Sequence, residues 1–157
     1  MATYDRTITG GGTVGHPGNV ARPYVVVSPV YDAADNTNLA NGDIVKMIDL
    51  PADTVVVNGY LEILEAAGNA NISLDVGVDG SVDTFIDGDA ADAGISNFGA
   101  GTNGEVGDMV TAANAIQVKV IETTTTNNET ALRFRVIAVL ADVSQNPVES
   151  ATVSTGT

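Results

Sequence analysis

The stretch Thr54–Asp79, TVVVNGYLEILEAAGNANISLDVGVD, decides the fold class. Its second half alternates cleanly: Ile72, Leu74, Val76 and Val78 fall on one face, and Asn71, Ser73, Asp75 and Gly77 on the other. A period of two is that of a half-buried β-strand. Thr54 to Ala66 reads as a strand too, with Val55, Val57, Leu61 and Ile63 on one face and Thr54, Asn58, Tyr60 and Glu62 on the other. Ala66-Ala67-Gly68-Asn69 is short and built of small residues, so it predicts a hairpin joining the two.

Working outward, Leu50-Pro51-Ala52-Asp53 reads as a turn leading back to a strand over Asp43 to Asp49. Arg22 to Tyr31 (RPYVVVSPVY) predicts a strand with Pro23 and Pro29 near its ends, where a missing ladder donor does least harm. Weaker strands are expected at Ser81 to Asp87 and Ile95 to Phe98. Ala115 to Glu122 turns Ile116, Val118 and Val120 inward and Gln117 and Lys119 outward. Ala131 to Val143 sets Leu132, Phe134, Val136, Ala138 and Leu140 against Arg133, Arg135, Ile137 and Val139. Ile137 and Val139 make its second half apolar on both faces, and the extra face needs a cover. Val, Ile and Thr supply 49 of the 157 residues, against 24 for Leu, Glu, Lys, Arg, Gln and Met together, an imbalance that favours strands over helices.

About eight strands with polar turns and no repeat predict an all-β protein, a jelly-roll-like double-sheet β-sandwich. An immunoglobulin-like sandwich competes less well, because Cys and Trp are both absent. One domain is expected over residues 21–143. Residues 1–20, with Gly10, Gly11, Gly12, Gly15 and Gly18, read as an extended N-terminal arm, and residues 144–157 as a polar C-terminal tail. Two readings of these ends stand: disordered termini, or arms that order against a neighbouring subunit.

With 6 Lys+Arg against 20 Asp+Glu, the formal charge is −14, which repels nucleic acid and anionic membranes. No apolar run is long enough to span a bilayer, and no export signal is read at the start. The absence of Cys excludes disulfides, thiolate zinc sites and a thiol nucleophile. His16, the single histidine, sits in the glycine-rich arm, and no G-x-S-x-G element exists to complete a serine triad. Paired carboxylates lack the aromatic platform of a glycosidase. An enzyme is not expected, and no cofactor is implied.

The densest polar feature is DVGVDGSVDTFIDGDAAD, in which Asp87, Asp89 and Asp92 are the best calcium candidates. Ala91 and Phe98 stand where an EF-hand loop needs ligands, so a solvated acidic loop is the default. Arg133 and Arg135, with Lys119 expected on a neighbouring strand, form a basic spot. It either pairs internally with Glu62 or Glu122, or docks an acidic partner.

The segment Gly42 to Gly80, GDIVKMIDLPADTVVVNGYLEILEAAGNANISLDVGVDG, resembles one recurring in capsid decoration (cement) proteins of tailed bacteriophages, especially those of marine and cyanobacterial phages. The shared pattern is an apolar strand, a Leu-Pro-Ala-Asp turn, a Val-rich strand, a small-residue connection ending in Ala-Asn-Ile, then D-x-G-x-D-G; the following FIDGDAADAG also resembles the acidic loop of that group. The resemblance implies a homotrimer that assembles in the host cytoplasm and binds the major capsid protein on the outer surface of the head. Partner contacts are then expected from the arm residues Tyr4, Arg6 and His16 and from Arg133, Arg135, Ile137 and Val139. A receptor- or carbohydrate-binding module of a tail or head fibre would instead bind saccharide near Tyr24, Tyr31 or Tyr60. A calcium-dependent adhesin would use Asp83 to Asp92.

Overall fold

The computed structural model describes residues 23–35, 39–99, 106, 109–122 and 129–143. These form β1 (Pro23–Val27), β2 (Tyr31–Asp32), β3 (Ile44–Leu50), β4 (Thr54–Glu65), β5 (Ile72–Val78), β6 (Ser81–Ala90), β7 (Gly94–Asn97), β8 (Met109–Val110), β9 (Asn114–Glu122) and β10 (Arg133–Asp142). No helix occurs among the described residues. One sheet runs β1-β10-β4-β7, with β2 also on β10 and β8 also on β4; the other runs β3-β9-β5-β6. All pairings are antiparallel. The double-sheet sandwich expected from the sequence is the observed architecture.

Inner faces meet in one apolar core. Val56, Leu61, Ile63, Phe134, Val136 and Leu140 come from the six-stranded sheet, and Leu74, Val76, Ile116, Val118 and Val120 from the other. Phe85 and Phe98 stack with ring centroids 4.7 Å apart, and Tyr31 stacks on Phe134 at 5.3 Å. The inward sets expected for β9 and β10 are those observed: Phe134, Val136, Ala138 and Leu140 are buried in the core, as are Ile116, Val118 and Val120, whereas Gln117 and Ile137 of the expected outward sets are buried too.

Two expectations need correction. Residues 66–71 are not a hairpin, because β4 and β5 belong to opposite sheets, and the connection crosses the edge of the sandwich. Glu129 holds that crossing: its carboxylate accepts the N–H of Asn69 at 3.3 Å and that of Ala131 at 2.6 Å. The hairpin lies one connection later, where Asp79 and Gly80 (φ 92°) join β5 to β6 through the Val78–Ser81 pair. The Leu50–Asp53 turn likewise changes sheets, with Asp53 in the left-handed region (φ 59°) and its N–H donating to the Val110 carbonyl at 2.7 Å.

The second correction concerns β4. Val139 faces Asn58 and Leu140 faces Val56, so Val57 is an extra residue, a β-bulge. The bulge exchanges the two faces. Thr54 and Val56 are inward before it and Gly59, Leu61 and Ile63 after it, so Val55 and Val57 leave the expected core set. Beyond the bulge, Gly59 lets the strand approach its neighbours closely: a Cβ there would stand 2.5 Å from the Phe98 ring and 2.7 Å from the Ile137 carbonyl oxygen.

Gly59→Ala is therefore expected to destabilise the protein by about 1–3 kcal/mol through overpacking. Val57→Thr, at an exposed bulge position, should stay within about 0.5 kcal/mol. Urea unfolding of the two variants checks both.

Candidate interaction face

The two outer faces of the sandwich differ. On the four-stranded sheet the chain covers itself. Gly77 faces the backbone of Ser81 and Val82 so closely that a Cβ would lie 2.2 Å from the Ser81 carbonyl oxygen. Gln117 is buried and donates from Nε2 to the Val78 carbonyl at 3.1 Å. Asp75, also buried, accepts the Gly88 N–H at 2.9 Å. Burial raises the Asp75 carboxyl above its ordinary range; Gly88 acts against this, Asp87 adds to it, Lys119 opposes it, and Asp83 adds again. Lys119 pairs in register with Asp75 on the four-stranded sheet, so it does not share a sheet with Arg133 and Arg135 as expected.

On the six-stranded sheet the outer face is built by register. Val25 and Val27 of β1 lie opposite Val139 and Ile137 of β10. Those lie opposite Asn58 and Tyr60 of β4, while Ile95 of β7 pairs with Glu62. Residues directly opposite share a face, so these side chains form one surface. Ile137, central in it, is only 6% exposed, whereas Val25, Val27 and Ile95 are 63%, 52% and 61% exposed. Ile137 is thus buried at the centre of this face, and the apolar rim around it is open.

Charges at one end of this face are paired within the chain. Arg135 Nε donates to the Glu62 carboxylate, and Arg133 meets Asp32 at 2.9 Å and Glu65 at 3.8 Å. Internal pairing is the observed state of both arginines. Glu62 is one of the two partners expected; Glu122 instead accepts Asn69 Nδ2 at 2.9 Å. The result is an apolar face whose two arginines are already paired, on a chain of formal charge −14. Tyr4, Arg6 and His16 lie outside the described residues.

Of the calcium candidates, Asp89 accepts the Ser96 hydroxyl, Asp87 lies near Asp75, and Asp92 is exposed just beyond β6. Among the described residues no three His, Cys, Asp or Glu side chains converge to hold a metal ion. Tyr24 and Tyr31 pair with the inward residues Leu140 and Phe134, while Tyr60 pairs with Ile137 on the outer face.

Sequence reasoning passed over Glu129, which is buried and whose carboxylate also accepts the Leu132 N–H at 3.3 Å. Burial pushes this carboxyl up, but the N–H groups of Ala131, Gly68, Asn69 and Leu132 outweigh it and leave it below the ordinary glutamate range. A lone Glu after a run of Thr and Asn carries no pattern that announces such a role.

The molecule is thus a two-sheet sandwich with one self-covered face and one open apolar face. No protein family matches the sequence, and no curated protein does. Three solved structures share its fold. A chain of the cyanophage Pam1 capsid asymmetric unit is 19% identical with a TM-score of 0.56, the likeness covering 88% of this chain and 98% of that one. A chain of the acidic stable capsid of Helicobacter pylori bacteriophage KHP30 is 13% identical with a TM-score of 0.53, over 78% of this chain and 90% of that one. A chain of the Ralstonia phage GP4 capsid is 18% identical with a TM-score of 0.50, over 78% and 83%. The fold is therefore one found in phage capsids, as the sequence resemblance implied.

The two shifted carboxyls give opposite pH signatures. Glu129, depressed in the fold, contributes stability that is present above its ordinary value of 4.5 and lost as pH falls through its folded value. Glu129→Gln should cost about 1–3 kcal/mol at pH 7, with the gap closing in acid. Asp75, raised in the fold, contributes stability fully present below 3.8 and lost as pH rises through its folded value. Asp75→Asn should therefore gain on the unmodified chain toward neutral pH. Urea midpoints across a pH series check both signs.

Proposed function

We propose that this chain is a structural virion protein, a decoration or cement protein bound as a homotrimer to the outer surface of a phage head, where it ties together major capsid subunits. The observation that carries this reading is the fold likeness to chains of three phage capsids, which spans 83–98% of each of those chains. The likeness extends over nearly a whole chain in each case, so it concerns an entire sandwich and not a fragment of a larger fold.

Physical features support the location. A charge of −14 is tolerable on the outside of a head and costly beside packaged nucleic acid. An open apolar face with its charges already paired suits contact with protein, and burial there gains about 25 cal/mol per Å² before association costs. Three copies acting together multiply weak contacts, because each contact after the first is intramolecular. Contacts made by residues 1–20 and 144–157, assembly in the host cytoplasm and a non-enzymatic role are parts of the same proposal.

Light scattering of the purified protein is expected to give about three times 16.0 kDa. Deleting residues 1–20 should weaken attachment to heads more than it lowers the melting temperature, measured by co-sedimentation and thermal unfolding side by side. A stable monomer that ignores heads and binds a host-surface glycan would replace this reading with the receptor-binding one.

A further inference from the structure

We propose that the free edge of β1 is a strand-acceptor site that binds an extended, uncharged segment of the shell protein by main-chain pairing. The inference deepens the decoration reading and rests on it. Ser28 donates its N–H to the Val136 carbonyl at 2.9 Å, so alternation turns Tyr24 and Val26 toward β10 and turns Val25 and Val27 away. The N–H and C=O groups of both valines therefore face outward, and among the described residues none of these four groups is paired.

Other sheet edges carry the usual protections against strand addition. Edge strand β3 has Lys46 and a register shift beside it. Edge strand β6 has Asp83, Asp87 and Asp89 and two register shifts. β7 and β8 are only four and two residues long. β1, PYVVV, has neither a charge nor an irregularity in its pairing. Pro23 and Pro29 bound it, so the open length is about five residues, or roughly 16 Å.

The surroundings choose the occupant. Opposite β1, the stretch Ile137–Ala141 of β10 carries no charge, and Arg135 just before it is held by Glu62. An acidic segment would gain nothing there, whereas small or β-branched side chains would continue the outer row begun by Val25, Val27, Ile137 and Val139. Copies related by a three-fold axis cannot pair two β1 edges, because antiparallel self-pairing requires a two-fold axis. In a trimer β1–β1 pairing is thus excluded, and the edge is open to a strand of the protein beneath it.

The test uses the full chain, alone and bound to phage heads assembled without it. Amide hydrogen exchange should be fast at Val25 and Val27 in the free protein and strongly slowed on heads. Val25→Pro with Val27→Pro removes the outward donors while keeping an apolar side chain at each position, and suits an edge strand; head affinity should fall about tenfold or more. Val25→Thr with Val27→Thr keeps those donors and should bind within about threefold. Protection already present in the free chain would mean that the chain or a second copy covers the edge, and would overturn the proposal. So would unchanged exchange on heads to which the protein does bind, or a Thr pair weaker than the Pro pair, which would make the apolar face the contact. Failure of the unmodified chain to bind heads would overturn the decoration reading and this inference with it. If the Pro pair does not fold, exchange in the unmodified chain decides alone.

Discussion

The sandwich depends on β10 being hydrogen-bonded along both of its edges. It lies between β4 on one side and β1 and β2 on the other, and it supplies Phe134, Val136, Ala138 and Leu140 to the core. A strand flanked on both sides has no edge to defend, so it tolerates apolar residues on its outer face as well. Ile137 is buried there although it lies outside the core cluster. The same arrangement moves the exposure problem outward, to Val25 and Val27 on one side and Ile95 on the other. The open apolar face is thus a consequence of how the centre of the sheet is satisfied.

Polar groups inside this frame are few, and they fix connections more than they create a reactive site. Glu129 gathers N–H groups from residues 68–69 and from 131–132, joining the crossing loop to the start of β10. Asn69 reaches on to Glu122, and Asn41 accepts the Glu122 N–H at 3.0 Å, so one end of the sandwich is laced by side chains from four connections and strands. Such networks satisfy backbone donors that ladders leave over at crossings. They also explain why several acidic residues here are structural despite the large negative charge.

Most strands were legible because alternation over seven or more residues has one explanation when both helix formers and long apolar runs are scarce. β5, β9 and β10 fall where the pattern of Ile72–Val78, Ile116–Val120 and Phe134–Leu140 puts them. Partnership was less legible. Alternation tells a strand which face is buried but not which strand lies beside it, so Ala66–Asn69 passed for a hairpin while the true one at Asp79-Gly80 carried the better turn signal. The β4 bulge was hidden for another reason: TVVVN is apolar on both parities, and only the register against β10 shows that Val57 is the extra residue. Of the candidate face, Ile137 and Val139 were visible as a surplus of apolar residues, and the Arg135–Glu62 pair as an option. Val25, Val27 and Ile95 came into view only when register placed them beside that pair.

Connections that cross between sheets also govern the order in which the molecule can form. Among neighbouring described strands in sequence, only β5 and β6 pair with each other over most of their length, while β1 waits for β10, made after residue 132, and β4 until then has only the short partners β7 and β8. As the chain leaves the ribosome, the six-stranded sheet has no centre until its last strand emerges. Folding must then follow synthesis, at the slow rates of non-local β topologies. Throughout that interval the strongly negative charge keeps the unfinished chains apart. The acidity that looks like a surface property of the finished molecule thus also acts on the chain while it is being made.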